Sequence, residues 1–210
     1  MRRRGANLRP PRIDPRRTPS PYLPITRLTL HTLDSAPADS RVFVERAIAN
    51  NGYLPNLIGV LANAPAALET YLTVSGLNAK ASLSLAEREV VQITAARIHG
   101  CEFCVAGHTA IALKKAGLPA AAVVSLQYGG NTGEPRLDAV RVFAEAVIAT
   151  RGAVDDAALQ AFREAGFDEA QALEVVLGIS LATLCNFSNS LAQSPVNPQL
   201  QAFRPGVLTA

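Results

Sequence analysis

The sequence predicts an all-α protein, a bundle of packed helices, and three observations support this. Apolar residues make up 49% of the chain but aromatic residues only 5%. Alanine and leucine, which are strong helix formers, are abundant. Apolar residues recur at helical spacing between recognisable capping residues. No segment shows the convincing polar–apolar alternation of a β-strand.

Three helices are predicted in the first part of the chain. Asp39 or Ser40 is expected to cap the first helix, which ends near Gly52. Asn56 is expected to cap a short second helix, and Pro65 suits the first turn of the third. The apolar positions expected to face inward are Val42, Val44, Ala47 and Ile48, then Leu57, Val60 and Leu61, then Leu68, Tyr71, Leu72 and Leu77.

Two helices joined by a tight turn are predicted at the centre of the chain. Ser84 followed by Glu87 matches a capping box and begins the first of them. Gly100 is expected to end that helix. The second then runs from about residue 101 to residue 115 and closes at Gly117.

Four more helices are predicted in the second half. They span 119–126, 136–151, the segment from Asp155 to Gly166, and the segment from Asp168 to the prolines at 195 and 198. The glycine-rich loop 128–135 follows no strand and precedes no Lys-Ser or Lys-Thr pair, so we do not expect it to bind phosphate. Asn186 and Asn189 are expected to cap or bridge helices.

The chain is expected to divide into an arginine- and proline-rich arm (1–28), a helical domain (29–200) and a loose tail (201–210). The arm contains eight arginines and one acid, which leaves twelve basic and sixteen acidic residues in the rest. Such an arm cannot bury enough apolar surface to fold, so we expect it to be extended or disordered. A solvated tail is favoured over a nucleic-acid tether, and nucleic acid is not an expected partner.

We expect a cytoplasmic protein without a membrane span. The basic start is followed by prolines rather than by the apolar segment of a signal peptide. The longest uncharged apolar run, 175–185, has eleven residues and is too short to cross a bilayer. With three cysteines and no export signal, the chain is not expected to be a disulfide scaffold, and its C-x-x-C pair indicates redox or metal chemistry.

Four reactive side chains lie in the sequence of the predicted central helix pair, and their spacing is expected to bring them close together. Cys101 and Cys104 form the C-x-x-C pair, and His108 follows four residues later, so on a helix the three share one face. If the glycine turns the chain back, Glu89 lies about 16 Å before the turn and His108 about 12 Å after it, within about one turn of each other. A carboxylate beside an imidazole raises its basicity and lets it accept a proton from a thiol.

Other interpretations of the cysteine pair fit less well. A zinc site with His99 as fourth ligand would draw its ligands from one helix face, which suits a tetrahedron poorly. A haem attachment needs a histidine directly after the second cysteine, where Val105 stands. A thioredoxin-like site needs flanking strands. We therefore expect no metal and no cofactor, with His99 at a helix C-terminus and Cys185 in the core.

The segments 83–89 and 100–110 resemble the core of the alkylhydroperoxidase D-like (AhpD-like) superfamily, which includes the carboxymuconolactone decarboxylases. The shared pattern is E-x(11)-C-x-x-C-x-x-x-H, with small residues before the histidine. The resemblance extends over about residues 29–200 and leaves the arm outside. Phe103 stands between the cysteines, where the best-studied peroxidase type has a second histidine.

The resemblance implies an AhpD-like helical bundle with the C-x-x-C pair on a helical hairpin, assembled as a homotrimer or homohexamer. It implies a peroxidase that reduces hydroperoxides. Cys104 would be oxidised, Cys101 would resolve it as a disulfide, and Glu89 and His108 would relay protons. A dihydrolipoyl protein or a thioredoxin-like reductant would reopen the disulfide. The free N–H groups of a helix start instead favour Cys101 as the more acidic thiol, so the residues leave the order of the cysteines open.

Two other functions stay open at this point. A carboxymuconolactone decarboxylase-like enzyme of the same superfamily would perform acid–base chemistry, for which the cysteine pair is not needed. A non-enzymatic redox sensor or adaptor would use the arginine-rich arm to bind a partner.

Overall fold

The structure, a computed structural model, describes residues 26–208 and confirms the all-α fold. Within that range it contains nine α-helices, one 3-10 helix and no strand. The α-helices are α1 (Ala38–Asn51), α2 (Asn56–Leu61), α3 (Pro65–Asn78), α4 (Leu85–Ile98), α5 (Glu102–Lys114), α6 (Ala120–Gln127), α7 (Pro135–Thr150), α8 (Asp156–Glu164) and α9 (Glu169–Ala192), and the 3-10 helix is Pro198–Phe203. The predicted arm, apart from residues 26–28, and the last two residues of the tail lie outside the described range.

Helix α4 is the centre of the domain. It packs against α5, α6, α7 and α9, and nearly all of its residues from Glu87 to Ala96 are buried. Two apolar clusters meet on it. One includes Val90, Val91 and Ile93, and the other includes Ala96. Because α4 is covered on every side, its apolar residues show only a rough helical period.

Local capping signals locate three helix starts as predicted. The Ser84 hydroxyl accepts the Glu87 N–H, and the Glu87 carboxylate accepts the Ser84 N–H, so α4 begins with the predicted capping box. Asp155 caps α8 through the Ala158 N–H. Asp168 caps α9, again as part of a capping box.

The caps predicted for α1 and α2 are wrong. Prolines 37 and 55 occupy the N-cap positions, and neither helix has a side-chain cap. The Ser40 hydroxyl lies inside α1 and donates to the carbonyl oxygen of Ala62. Asn56 lies in the first turn of α2, where its amide donates to the Pro195 carbonyl instead. Both side chains that the local pattern assigned to capping therefore form hydrogen bonds to distant parts of the chain instead.

Two predicted core positions are also wrong. Val42 in α1 is 53% exposed and Leu77 in α3 is 55% exposed. Helix α1 buries only Ser40, Val44 and Ala47, because a peripheral helix presents one narrow face to its neighbours.

Helix α9 is the longest element and runs through the domain. Its 24 residues, with a mean hydropathy of 1.5 over the most apolar window, have the length and composition of a membrane span. It packs against α2, α3, α4, α5 and α7. These contacts cover one side of α9, which is much longer than the apolar run 175–185 suggests. The 3-10 helix that follows packs on α5 and crosses the predicted boundary between domain and tail.

Gly178 sets the distance between α4 and α9. A Cβ atom at this position would lie 3.0 Å from Val91 Cγ1. Gly178→Val is therefore expected to lower the free energy of unfolding by about 1–3 kcal/mol through overpacking. Urea unfolding followed by circular dichroism measures the change.

A second glycine in a helix provides the control. A Cβ at Gly76 in α3 would meet no atom within 4 Å, so Gly76→Ala is expected to stabilise the protein by about 0.5–1 kcal/mol. A Gly178→Val protein as stable as the wild type would contradict the close approach of α4 and α9.

Candidate active site

Gly100 makes the turn that brings α5 back onto α4. Its φ angle is +72°, in the left-handed region that glycine adopts without strain. The Cys101 N–H donates to the Ala96 carbonyl at 2.9 Å, which closes the end of α4 in the Schellman manner. The predicted turn thus places Cys101 at the N-cap of α5.

The carboxylate and the imidazole meet across the two helices. His108 Nδ1 lies 2.8 Å from Glu89 Oε2, and Glu89 is only 5% exposed. A carboxylate only accepts hydrogen bonds, so Nδ1 carries the proton and Nε2 is left with its lone pair. The imidazole is therefore oriented as a base. Glu87, two residues away, faces elsewhere and pairs with Arg136 at 2.6 Å.

The pKa of His108 reflects two opposing causes. Burial lowers it, but the charge of Glu89 and the hydrogen bond to it outweigh burial, so the pKa lies above the ordinary value of 6.5. A more basic imidazole is a better proton acceptor for a thiol and a better donor once it is charged.

The two cysteines of the pair have different surroundings. All three cysteines lie in the described part of the chain and are free thiols. The Cys104 N–H donates to Cys101 Sγ at 3.4 Å. The hydrogen bond between the two thiols, followed by burial, raises the pKa of Cys101 well above its usual range. The direction of this shift is opposite to the acidity that the helix start predicts for Cys101.

Asn189 on α9 completes the sulfur site. Its Nδ2 group donates to Cys104 Sγ at 3.4 Å, and the residue is 3% exposed. Asn189 was expected to cap or bridge helices, and it does bridge α9 to α5, but the sulfur as its partner was not predicted. The available signal was a carboxamide in a largely apolar helix, since buried amides need partners. Asn186 does bridge helices, because its Oδ1 lies 2.9 Å from His99 Nδ1.

A cavity of about 550 Å³ leads to this site. Cys104 and His108 line the cavity, whereas Cys101 does not. Tyr71 and Cys185 also line it. Burial raises the pKa of both groups, that of Cys185 to about 12, with a further contribution from the neighbouring cysteines. Cys185 thus lies in the core as predicted but also reaches the cavity wall.

The zinc interpretation has no geometric support in residues 26–208. No group of three or more metal-binding side chains gathers anywhere in this range. His99, the proposed fourth ligand, is the C-cap of α4. Its ring lies edge-on to Phe187 and bonds to Asn186, so it belongs to the contact between α4 and α9.

Known proteins resemble this chain in one sequence segment and in fold. Residues 65–128, which include all four predicted site residues, match the model of the carboxymuconolactone decarboxylase family. An alkylhydroperoxidase AhpD core structure, an uncharacterised peroxidase-related protein from Ralstonia eutropha JMP134, superposes with a TM-score of 0.77. It is 22% identical and covers 87% of this chain and 97% of its own. This segment is thus similar to the carboxymuconolactone decarboxylase family, and the chain has the fold of the AhpD core.

Other solved structures share the AhpD-like fold. An uncharacterised peroxidase-related protein from Silicibacter sp. TM1040 is 19% identical with a TM-score of 0.75, over 88% of this chain and 99% of its own. The debrominase Bmp8, in complex with 2,3,4-tribromopyrrole, is 15% identical with a TM-score of 0.69, over 88% of this chain and 97% of its own. No curated protein shows significant sequence similarity.

The raised pKa of His108 leads to a first prediction for this site. In an NMR titration of histidine-labelled protein, His108 is expected to titrate above pH 6.5. In Glu89→Gln the midpoint is expected to fall, because the negative charge that stabilises the imidazolium is gone. An unchanged or higher midpoint in the variant would show that Glu89 does not control His108.

The contact from Asn189 leads to a second prediction. A hydrogen bond to a charged group contributes about 1.5 kcal/mol or more, so Asn189→Leu is expected to slow alkylation of Cys104 by iodoacetamide about tenfold. Mass spectrometry assigns the labelled cysteine. The matched control is Asn186→Leu, on the same helix but bonded to His99, which is expected to leave the rate near that of the wild type. Equal rates of Cys104 alkylation in the two variants would show that Asn189 does not influence the reactivity of Cys104.

Proposed function

We propose that the protein is a thiol-dependent peroxidase that reduces organic hydroperoxides. The observation that carries this proposal is the position of Cys104. Its sulfur faces a cavity, accepts a hydrogen bond from Asn189, and shares that cavity with a Glu89-oriented imidazole. A thiol that a base can deprotonate supplies the thiolate, which is the nucleophilic form.

The first step oxidises Cys104. His108 Nε2 takes the thiol proton, and the thiolate attacks the terminal oxygen of the hydroperoxide. The O–O bond breaks, the sulfur becomes a sulfenic acid, and the leaving alkoxide takes the proton from His108 and departs as an alcohol. Glu89 holds the imidazole and stabilises its charged form between the two transfers.

The second step forms a disulfide. The Cys101 sulfur attacks the sulfenic sulfur, its proton leaves with the hydroxyl group as water, and a Cys101–Cys104 bond results. A dithiol donor then reduces the bond and is itself oxidised to a disulfide, so one hydroperoxide consumes one dithiol.

A dihydrolipoyl protein fits the donor role better than a thioredoxin-like protein. Cys104 is only 4% exposed and is reached through the cavity. A narrow dithiol arm can enter such a space, whereas a reductant whose dithiol sits on its own folded surface cannot.

We also propose that the protein assembles as a homotrimer or homohexamer. Leu173, Val176, Phe187 and Leu191 of α9 are large apolar residues exposed to solvent, and at about 100° per residue they share one helix face. Such stripes mark protein–protein contacts. Native mass spectrometry is expected to find a trimer or hexamer, and Leu191→Glu is expected to dissociate it. A monomeric wild-type protein would contradict the assembly.

Cysteine variants separate this proposal from the decarboxylase. Cys104→Ser is expected to reduce stopped-flow consumption of cumene hydroperoxide at least about 100-fold, because the nucleophile is lost. Cys101→Ser is expected to keep the first oxidation and to accumulate a sulfenic acid that dimedone traps. Cys185→Ser is the matched control and is expected to retain turnover, since Cys185 takes no part in either step. Undiminished turnover in Cys104→Ser would refute the peroxidase and favour acid–base chemistry.

A redox sensor would behave differently from an enzyme. If the arginine-rich arm were needed for a signalling contact, a protein lacking residues 1–27 would lose its function but keep its thiol reactivity. The peroxidase proposal expects this shortened protein to turn over hydroperoxide like the full chain, with the same dithiol donor.

A further inference from the structure

One face of α5 forms a wall of the cavity along almost the whole helix. Cys104, Gly107, His108, Ile111 and Lys114 all line it, and their spacing of three and four residues is that of a single helix face. At 1.5 Å per residue, Lys114 lies about 15 Å along the helix from Cys104. The cavity therefore joins a reactive sulfur at one end to a lysine at the other.

The charged side chains of the cavity are all cationic at neutral pH. Arg46 on α1 and the adjacent Lys114 and Lys115 line it, and no aspartate or glutamate does. None of the three cations forms an ion pair with a residue in the described range 26–208. Outside the arm, acids outnumber bases sixteen to twelve. The charged side chains of the cavity are therefore all positive, although the domain as a whole has a net negative charge.

The space between the sulfur and the cations is largely apolar. Ile111, Leu200 and Phe203 lie on its wall. Lys114 Nζ lies 4.6 Å from the centre of the Phe203 ring, so the lysine is held beside the apolar wall. Gly107 carries no side chain, and a Cβ there would meet only Leu200, at 3.9 Å. The channel is thus open next to His108.

We propose that the preferred hydroperoxide of this site is amphipathic, with a carboxylate at one end of an extended apolar chain. The carboxylate pairs with Arg46, Lys114 and Lys115, the chain lies along the apolar wall, and the hydroperoxide group reaches Cys104. This substrate class rests on the proposed peroxidase function. The carboxylate takes no part in the reaction, whose bonds form and break as described above.

Binding is tested separately from chemistry. Dodecanoic acid and its methyl ester share the chain and differ in charge, and neither contains a peroxide. Isothermal titration is expected to show about five- to tenfold tighter binding of the acid at low ionic strength, the effect of several exposed ion pairs. At about 1 M salt, where the Debye length is about 3 Å, the preference is expected to disappear. Equal binding at low salt would overturn the proposal.

Turnover is tested with linoleic acid hydroperoxide and its methyl ester. The acid is expected to have a kcat/KM about five- to tenfold higher than the ester. A preference for the acid in binding without reduction of any hydroperoxide would support the anion site and refute the peroxidase. Reduction of both compounds at equal kcat/KM would support the peroxidase and overturn the anion site.

Single variants locate the site. Arg46→Gln, Lys114→Gln and Lys115→Gln are each expected to lower the acid-to-ester ratio about two- to threefold. Lys80→Gln, an exposed lysine outside the cavity, is the matched control and is expected to keep the ratio.

Gly107→Leu tests the size of the cavity. It is expected to lower kcat/KM for linoleic acid hydroperoxide at least about tenfold relative to kcat/KM for hydrogen peroxide, since the leucine side chain fills the space next to His108. The proposed position of the substrate would be wrong if all four charge variants changed the acid-to-ester ratio equally and Gly107→Leu left the preference between the two peroxides unchanged.

Discussion

A carboxylate buried inside a helical core is the constraint on which the site depends. Burying an ionised group is costly unless it is paired, and Glu89 lies on the most enclosed helix of the domain with His108 as its partner. The pair therefore couples the register of α4 to that of α5. The Gly100 turn makes this register attainable, because it returns the chain without an intervening loop.

The same geometry gives the two cysteines different surroundings. Cys101 occupies the N-cap of α5 outside the lining of the cavity, and the hydrogen bond with Cys104, followed by burial, raises its pKa. Cys104 lies one turn on, toward the cavity and beside an amide donor from α9. Position at the helix start, taken alone, favours Cys101 as the more acidic thiol. Burial and hydrogen bonding act in the opposite direction on Cys101, and neither is encoded in the spacing of the motif.

Local chemistry in the sequence predicted much of the fold. Capping boxes at Ser84 and Asp168 and the glycine at position 100 act over a few residues, so their signals survive without tertiary information. The meeting of Glu89 and His108 was predictable too, because two helices of known rise and one turn fix it.

The features that could not be predicted from the sequence depend on contacts between residues far apart in the chain. Asn56 was expected to cap a helix but binds a carbonyl 139 residues away in the chain. Asn189 lies 85 residues from the sulfur that it contacts. Val42 looks like a core residue by periodicity and is exposed because α1 has neighbours on only one side. The cations that line the cavity likewise come from α1 and from the end of α5, and no local pattern joins them.

The central claim is that Cys101 and Cys104 react as a pair at the end of this cavity. Its most direct test is peptide mass spectrometry of the wild-type protein after one equivalent of cumene hydroperoxide under non-reducing conditions. The account predicts loss of two hydrogens within the peptide that contains both cysteines, with Cys185 still alkylatable. Recovery of Cys101 and Cys104 as free thiols, while the hydroperoxide is consumed or left intact, would contradict it.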